Sequence, residues 1–144
     1  MSVARRKGRG REKGLMDILG IGVDLVEVAR IERAMARHEG FVSRVFSARE
    51  RERCEACARP GRRYAGCFAA KEAAAKALGT GIRGFSWPDL EMLAGENGEP
   101  YLELSGRARE VASRRGVEKI LVSVSHSGGM AIAMAEALGG GSGP

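Results

Sequence analysis

Four side chains in this sequence have the types and spacing for phosphoryl chemistry: Asp24, Glu72, Lys76 and His126. Glu72 and Lys76 stand four residues apart in an alanine-rich stretch of high helix propensity, so they share one helix face. Asp24 closes the apolar run Gly20-Ile-Gly-Val. Two carboxylates from different elements suit Mg²⁺, which takes one or two protein oxygens and completes its octahedron with waters and substrate phosphates. An ion held this way neutralises a pyrophosphate and stabilises charge on a transferring phosphorus. Lys76, one turn beyond Glu72, can place a cation on the same phosphate. His126, between Ser125 and Ser127, suits phosphate binding or proton transfer near neutral pH. Each residue also has a plainer reading: a surface helix with one Glu–Lys pair, an aspartate that only caps a helix, and a structural histidine.

The elements that must position these groups follow from pattern. Residues 17–24 read as a short apolar strand containing Gly20 and Gly22, and glycine inside a strand marks close approach by another backbone or a ligand. Asp24 then falls at a strand end. From Leu25 to Met35 the apolar residues recur at helical spacing, up to Gly40. Phe41, Val42, Val45 and Phe46 form a hydrophobic connector, and Ser47-Ala-Arg-Glu50 is a capping box opening a charged helix that stops before Pro60-Gly61. The alanine-rich helix is expected over 63–78, with Gly79 as its left-handed stop and residues 80–84 as a loop. Extended segments at 87–93 and 101–104 flank Asn97-Gly98, a strong hairpin signal. Ser105 caps a helix running to Arg115, with Gly116 just past its end, and the segments 119–125 and 130–135 pair as a terminal hairpin across Gly128-Gly129. The order lacks steady βαβ alternation, so the fold class is α+β with a mainly antiparallel sheet packed with helices.

Composition narrows the function. The chain has 144 residues, enough for one domain with a core, and aromatics are only 5%, so that core is aliphatic. The net charge of +6 is concentrated in residues 1–14, where six basic side chains face one acid. The remainder is nearly neutral, which argues against a nucleic-acid binder. Residues 30–63, however, hold ten Arg against five Glu, a local excess suited to an acidic partner or a phosphorylated ligand. Three cysteines without a secretory signal point to reduced thiols and a cytoplasmic setting. Cys54 and Cys57 have metal-pair spacing, but with no second pair they read as helix-borne structural thiols. No apolar stretch approaches membrane-span length. Residues 1–15 read as a disordered basic extension that superficially imitates a transit peptide, residues 16–140 as a single domain, and 141–144 as a flexible tail.

Taken together, Gly-Ile-Gly-Val-Asp24 with Arg30, Phe68-Ala-Ala-Lys-Glu72-Ala…Lys76-Ala…Gly79-Thr-Gly81, and Val124-Ser-His126-Ser resemble the holo-[acyl-carrier-protein] synthases, the small stand-alone 4′-phosphopantetheinyl transferases. The resemblance runs from about Met16 to Leu138. It implies transfer of 4′-phosphopantetheine from coenzyme A to a serine of apo acyl-carrier protein, releasing adenosine 3′,5′-bisphosphate, in fatty-acid or polyketide biosynthesis. It further implies that Asp24 and Glu72 bind Mg²⁺, that Lys76 and His126 meet coenzyme A phosphates, and that Arg30 meets the acidic carrier. The proton acceptor stays open among Glu72, a water on the metal and the substrate itself. The resemblance also implies a homotrimer with active sites between subunits. The glycine-rich segment after His126 and the basic extension depart from the family pattern, and no roles carry over to them. A nucleic-acid module acting through the basic tail and a catalytically silent scaffold are the rival readings; retention of Asp24, Glu72 and Lys76 argues against the second.

Overall fold

The computed structural model describes residues 15–80 and 85–140. The expected basic extension (all but Leu15), most of the 80–84 loop with the motif's Gly81, and the 141–144 tail lie outside the described residues. The elements are β1 (Asp17–Glu27), α1 (Val28–Arg37), α2 (Phe41–Val45), α3 (Ala48–Glu55), α4 (Pro60–Ala77), a 3₁₀ turn (Trp87–Asp89), β2 (Leu90–Ala94), β3 (Pro100–Leu104), α5 (Gly106–Arg114), β4 (Val117–Ser127) and β5 (Met130–Gly139). The strands form one sheet in the order β1-β5-β4-β3-β2, every neighbouring pair antiparallel. This is the expected α+β class, and both expected hairpins, β2–β3 and β4–β5, are present. No described helix is long and apolar enough to cross a membrane.

The expected boundaries shift in places for identifiable reasons. β1 continues to Glu27 because its pairing with β5 continues to Glu27↔Met130, so Leu25 and Val26 are strand residues and α1 starts three positions late. Asp24 therefore lies inside a strand and not at its end. The 41–46 connector contains a short helix, and α4 begins at Pro60, a residue suited to a first helical position because the missing N–H is unpaired there anyway. Trp87–Asp89 is a 3₁₀ turn where extended chain was expected. The Ser47 capping box is formed, with Ser47 Oγ accepting from the Glu50 N–H at 3.2 Å and the Ser47 N–H donating to Glu50 Oε1 at 2.8 Å. Ser105 stands at the N-cap of α5 without a side-chain capping bond.

The centre of the molecule is α4. It is no surface helix: eleven of its eighteen residues are buried. Ala69, Ala70, Ala73 and Ala74 are fully buried, and the sheet opposes them with Ala131, Ala133, Ala135 and Ala137 of β5, also buried. Small side chains on both surfaces let helix and sheet backbones come close together. The closest approach is at β1, where a Cβ on Gly22 would lie 1.9 Å from the Ala73 carbonyl oxygen and one on Gly20 2.0 Å from that of Ala77. Larger apolar groups alternate outward instead, so Ile21, Val23 and Leu25 of β1 and Ile132 and Met134 of β5 stand exposed on the sheet's far face.

Gly22→Ala should destabilise the fold by about 3 kcal/mol, because the new methyl meets backbone that no rotamer change can move. Urea unfolding checks this; an unchanged midpoint would contradict the helix–strand approach described here.

Candidate active site

Asp24 shares its strand face with Gly20 and Gly22, so it points toward α4, and it lines one cavity of about 310 Å³ with Glu72, Phe68, Arg30, Ile31 and Phe41. Glu72 is half-buried there. Burial holds its carboxyl above the ordinary value; the Asp24 charge adds to this and Lys76 partly offsets it. Lys76 donates to Asp24 Oδ1 at 3.1 Å and to the Val23 carbonyl at 2.9 Å. The structure thus brings together Asp24, Glu72, Lys76 and Arg30. It leaves a carboxylate pair at one cavity wall, with Lys76 ion-paired to one of the two.

The azimuth of α4 that delivers Glu72 is set by the residue before it. Lys71 is fully buried and ion-pairs with Glu50 Oε1 at 2.6 Å, while also donating to the Val45 and Trp87 carbonyls. Glu50 Oε2 accepts from the Met92 N–H at 3.1 Å and from Cys67 Sγ at 2.9 Å. Every charged atom of the pair has partners, the condition under which a buried ion pair is tolerated. Removing Lys71 would leave Glu50 buried without its counter-ion. Sequence reasoning missed this pair, since Glu50 reads as a helix cap and Lys71 as one more charge on a helix. The interior lysine among seven alanines and apolar neighbours was the available signal.

His126 lies elsewhere, at the N-terminal end of α4. It lines a cavity of about 470 Å³ with Arg59, Arg62, Glu32 and the Gly128–Gly129 turn. Arg59 is the N-cap of α4, no side chain caps the helix, and its first turn holds no acid, so free N–H groups and the helix dipole favour an anion there. Arg63 and Cys57 line an adjoining cavity with Arg59, Arg62 and His126. Arg59 and Arg62 were legible beforehand only as part of a diffuse arginine excess. Within one chain, His126 and the carboxylate pair line separate cavities.

The cysteines fit the structural reading. Cys54 and Cys67 are buried and free, burial pushing the Cys54 thiol up to about 12 and the Cys67 thiol upward as well. Among the described residues no three His, Cys, Asp or Glu side chains cluster as metal ligands. The Asp24–Glu72 pair, a two-carboxylate oxygen donor set beside open cavity space, fits an ion such as Mg²⁺ that takes few protein ligands.

With this geometry in hand, comparison with known proteins is specific. The sequence profile of the 4′-phosphopantetheinyl transferase superfamily matches residues 20–135. The holo-[acyl-carrier-protein] synthase of Desulforudis audaxviator is 49% identical over 123 residues, covering 85% of this chain and 94% of that protein. The crystal structure of the holo-ACP synthase of Plasmodium yoelii superposes with a TM-score of 0.76 at 31% identity, covering 86% of this chain and 97% of that one. That of the Helicobacter pylori holo-[acyl-carrier-protein] synthase, solved in complex with coenzyme A, gives 0.71 at 33% identity over 81% and 98%.

Because the folded state raises the Glu72 carboxyl, ionising it costs stability above the ordinary carboxylate range and nothing once pH falls through about 4. Glu72→Gln should therefore melt higher than wild type at neutral pH without divalent metal, with the difference fading in acid. Thermal scans check this; a variant less stable at neutral pH would contradict the cost of holding an ionised Glu72 half-buried beside Asp24.

Proposed function

The chain belongs to the 4′-phosphopantetheinyl transferase superfamily, and on that footing we propose that it carries out the holo-[acyl-carrier-protein] synthase reaction. It transfers 4′-phosphopantetheine from coenzyme A to a serine of apo acyl-carrier protein and releases adenosine 3′,5′-bisphosphate. The observation that carries this reading is the convergence of Asp24 from β1 with Glu72 and Lys76 from α4, inside the region matched by the family.

Asp24 and Glu72 are the residues that would hold Mg²⁺. When bound, that ion neutralises pyrophosphate charge and supplies electrophilic stabilisation to the phosphorus. Lys76 ion-pairs with Asp24 at 3.1 Å and stands on the surface beside it, able to turn to a phosphate oxygen. The carrier serine oxygen bonds to the β-phosphorus, the bond from that phosphorus to the oxygen bridging to the α-phosphate breaks, and the electron pair leaves on adenosine 3′,5′-bisphosphate. Glu72, on the wall of the same cavity, is the protein group proposed to take the serine proton. Arg30, on the wall of the same cavity, meets the acidic carrier. The arginines and His126 at the start of α4 take the phosphate on the ribose.

The assembly we propose is a homotrimer. A bare face of Ile21 (67% exposed), Val23, Leu25, Ile132 and Met134 is far larger than isolated surface apolar residues and suits burial against a second copy. The separation of the carboxylate and His126 cavities within one chain also favours sites completed between subunits. Residues 16–140 act as one domain, and the reaction serves fatty-acid or polyketide biosynthesis in the cytoplasm.

Incubation with coenzyme A, Mg²⁺ and apo carrier should add one phosphopantetheine to the carrier's mass. Asp24→Ala and Glu72→Ala should lower turnover by at least about a hundredfold, while Arg30→Ala mainly raises KM for carrier. No adduct with any of several carriers would sink the proposal. Light scattering should give three times the chain mass of 15.3 kDa; a monomer would contradict the assembly.

A further inference from the structure

The His126 ring is fixed by the first turns of α4. Its Nε2 lies 2.9 Å from the Arg62 carbonyl oxygen. A carbonyl only accepts, so Nε2 carries a hydrogen and donates, leaving Nδ1 as the ring nitrogen open to a ligand; toward an anion it must carry a hydrogen too, so the ring that binds a phosphate is the imidazolium. Four residues on from Arg62, on the same helix face, is Gly66. A Cβ built on Gly66 would come within 3.0 Å of His126 Cε1 and 3.2 Å of Nε2, and within 3.1 Å of Val124 Cγ1.

Gly66 is buried in the helix interior and its φ is not positive, so no left-handed backbone requires glycine there. Glycine is the poorest helix former after proline, whereas α4 otherwise meets the sheet with alanines. What the position needs is space for the ring and for the Val124 methyl beside it.

We propose that Gly66 is a positioning residue: its absent side chain lets the His126 imidazole lie on α4 with Nε2–H on the Arg62 carbonyl, and so presents the Nδ1–H of the imidazolium to a phosphate of coenzyme A. Arg59, Arg62 and Arg63, with Glu32 from α1, are the charged groups lining the cavities that His126 faces. This rests on the reading of His126 as a coenzyme A contact. It adds that the contact depends on a residue that never touches substrate.

The test uses the full chain with Gly66→Ala, His126→Ala and the double variant. Gly66→Ala should raise KM for coenzyme A about tenfold with kcat within about twofold, and His126→Ala should do the same. In the His126→Ala background, Gly66→Ala should change KM by less than about twofold. There it should not lower the melting temperature, because alanine is the better helix former. An equal KM effect in both backgrounds, or a lower melting temperature in both, makes Gly66 a packing residue against Val124 and overturns the proposal. The imidazole NMR spectrum of His126 reads the same geometry without activity: Gly66→Ala must shift or broaden the Nε2–H resonance, and an unmoved resonance overturns the proposal. If no phosphopantetheine transfer is seen, the proposed function fails, and the spectrum alone then decides whether Gly66 seats the ring.

Discussion

Backbone-to-backbone contact between α4 and β1 is the constraint on which the rest of the structure depends. Two glycines on the strand and alanines on the helix bring carbonyl oxygens to where side chains would otherwise be. A helix this close to a strand can place a residue of each in one small cavity without long, mobile side chains doing the reaching. That suits catalysis by carboxylates, whose short side chains must be aimed by backbone. The same closeness fixes side-chain size throughout. β5 offers alanine inward, so its larger residues turn outward, and the far face of the sheet becomes apolar. The exposed apolar face is thus a by-product of the packing that brings helix and strand together.

Close packing fixes the distance of the helix from the sheet, and the buried Lys71–Glu50 pair fixes its rotation. Alanine faces are nearly featureless and would tolerate small turns of the helix about its axis. A lysine that must reach Glu50 and the Val45 and Trp87 carbonyls does not. Breaking such a pair leaves a charge buried, at a cost of about 3–5 kcal/mol, so rotational alternatives for α4 are strongly disfavoured. Glu72 follows Lys71 in the chain and inherits that rotation.

Much of this was legible in the sequence where the signal is local. Ser47 and Glu50 identified a helix start, Asn97-Gly98 a hairpin, and the two strand glycines a close approach by backbone or ligand, which the fold shows to be backbone. Asp24 and Glu72 were singled out as a pair by their residue types, and the fold does bring them to one cavity. What escaped is non-local. Leu25 and Val26 fit a helix period equally well, and only pairing with β5 makes them strand. Glu50 and Lys71, twenty-one positions apart, each have a satisfactory local role that hides the partnership. Arg59, Arg62 and His126 come together only because the β4–β5 turn lies beside the start of α4. Gly66 gives no signal at all until the imidazole above it is seen.

On the proposed reading, α4 and β1 together make a divalent-ion site from Asp24 and Glu72. Paramagnetic broadening reads this directly. Mn²⁺ titrated into isotope-labelled protein with coenzyme A present should first broaden the amides flanking Asp24 and those around Glu72, while amides of α5 and the β2–β3 hairpin stay sharp. Broadening centred elsewhere, or absent at ion concentrations that support the reaction, would contradict the account.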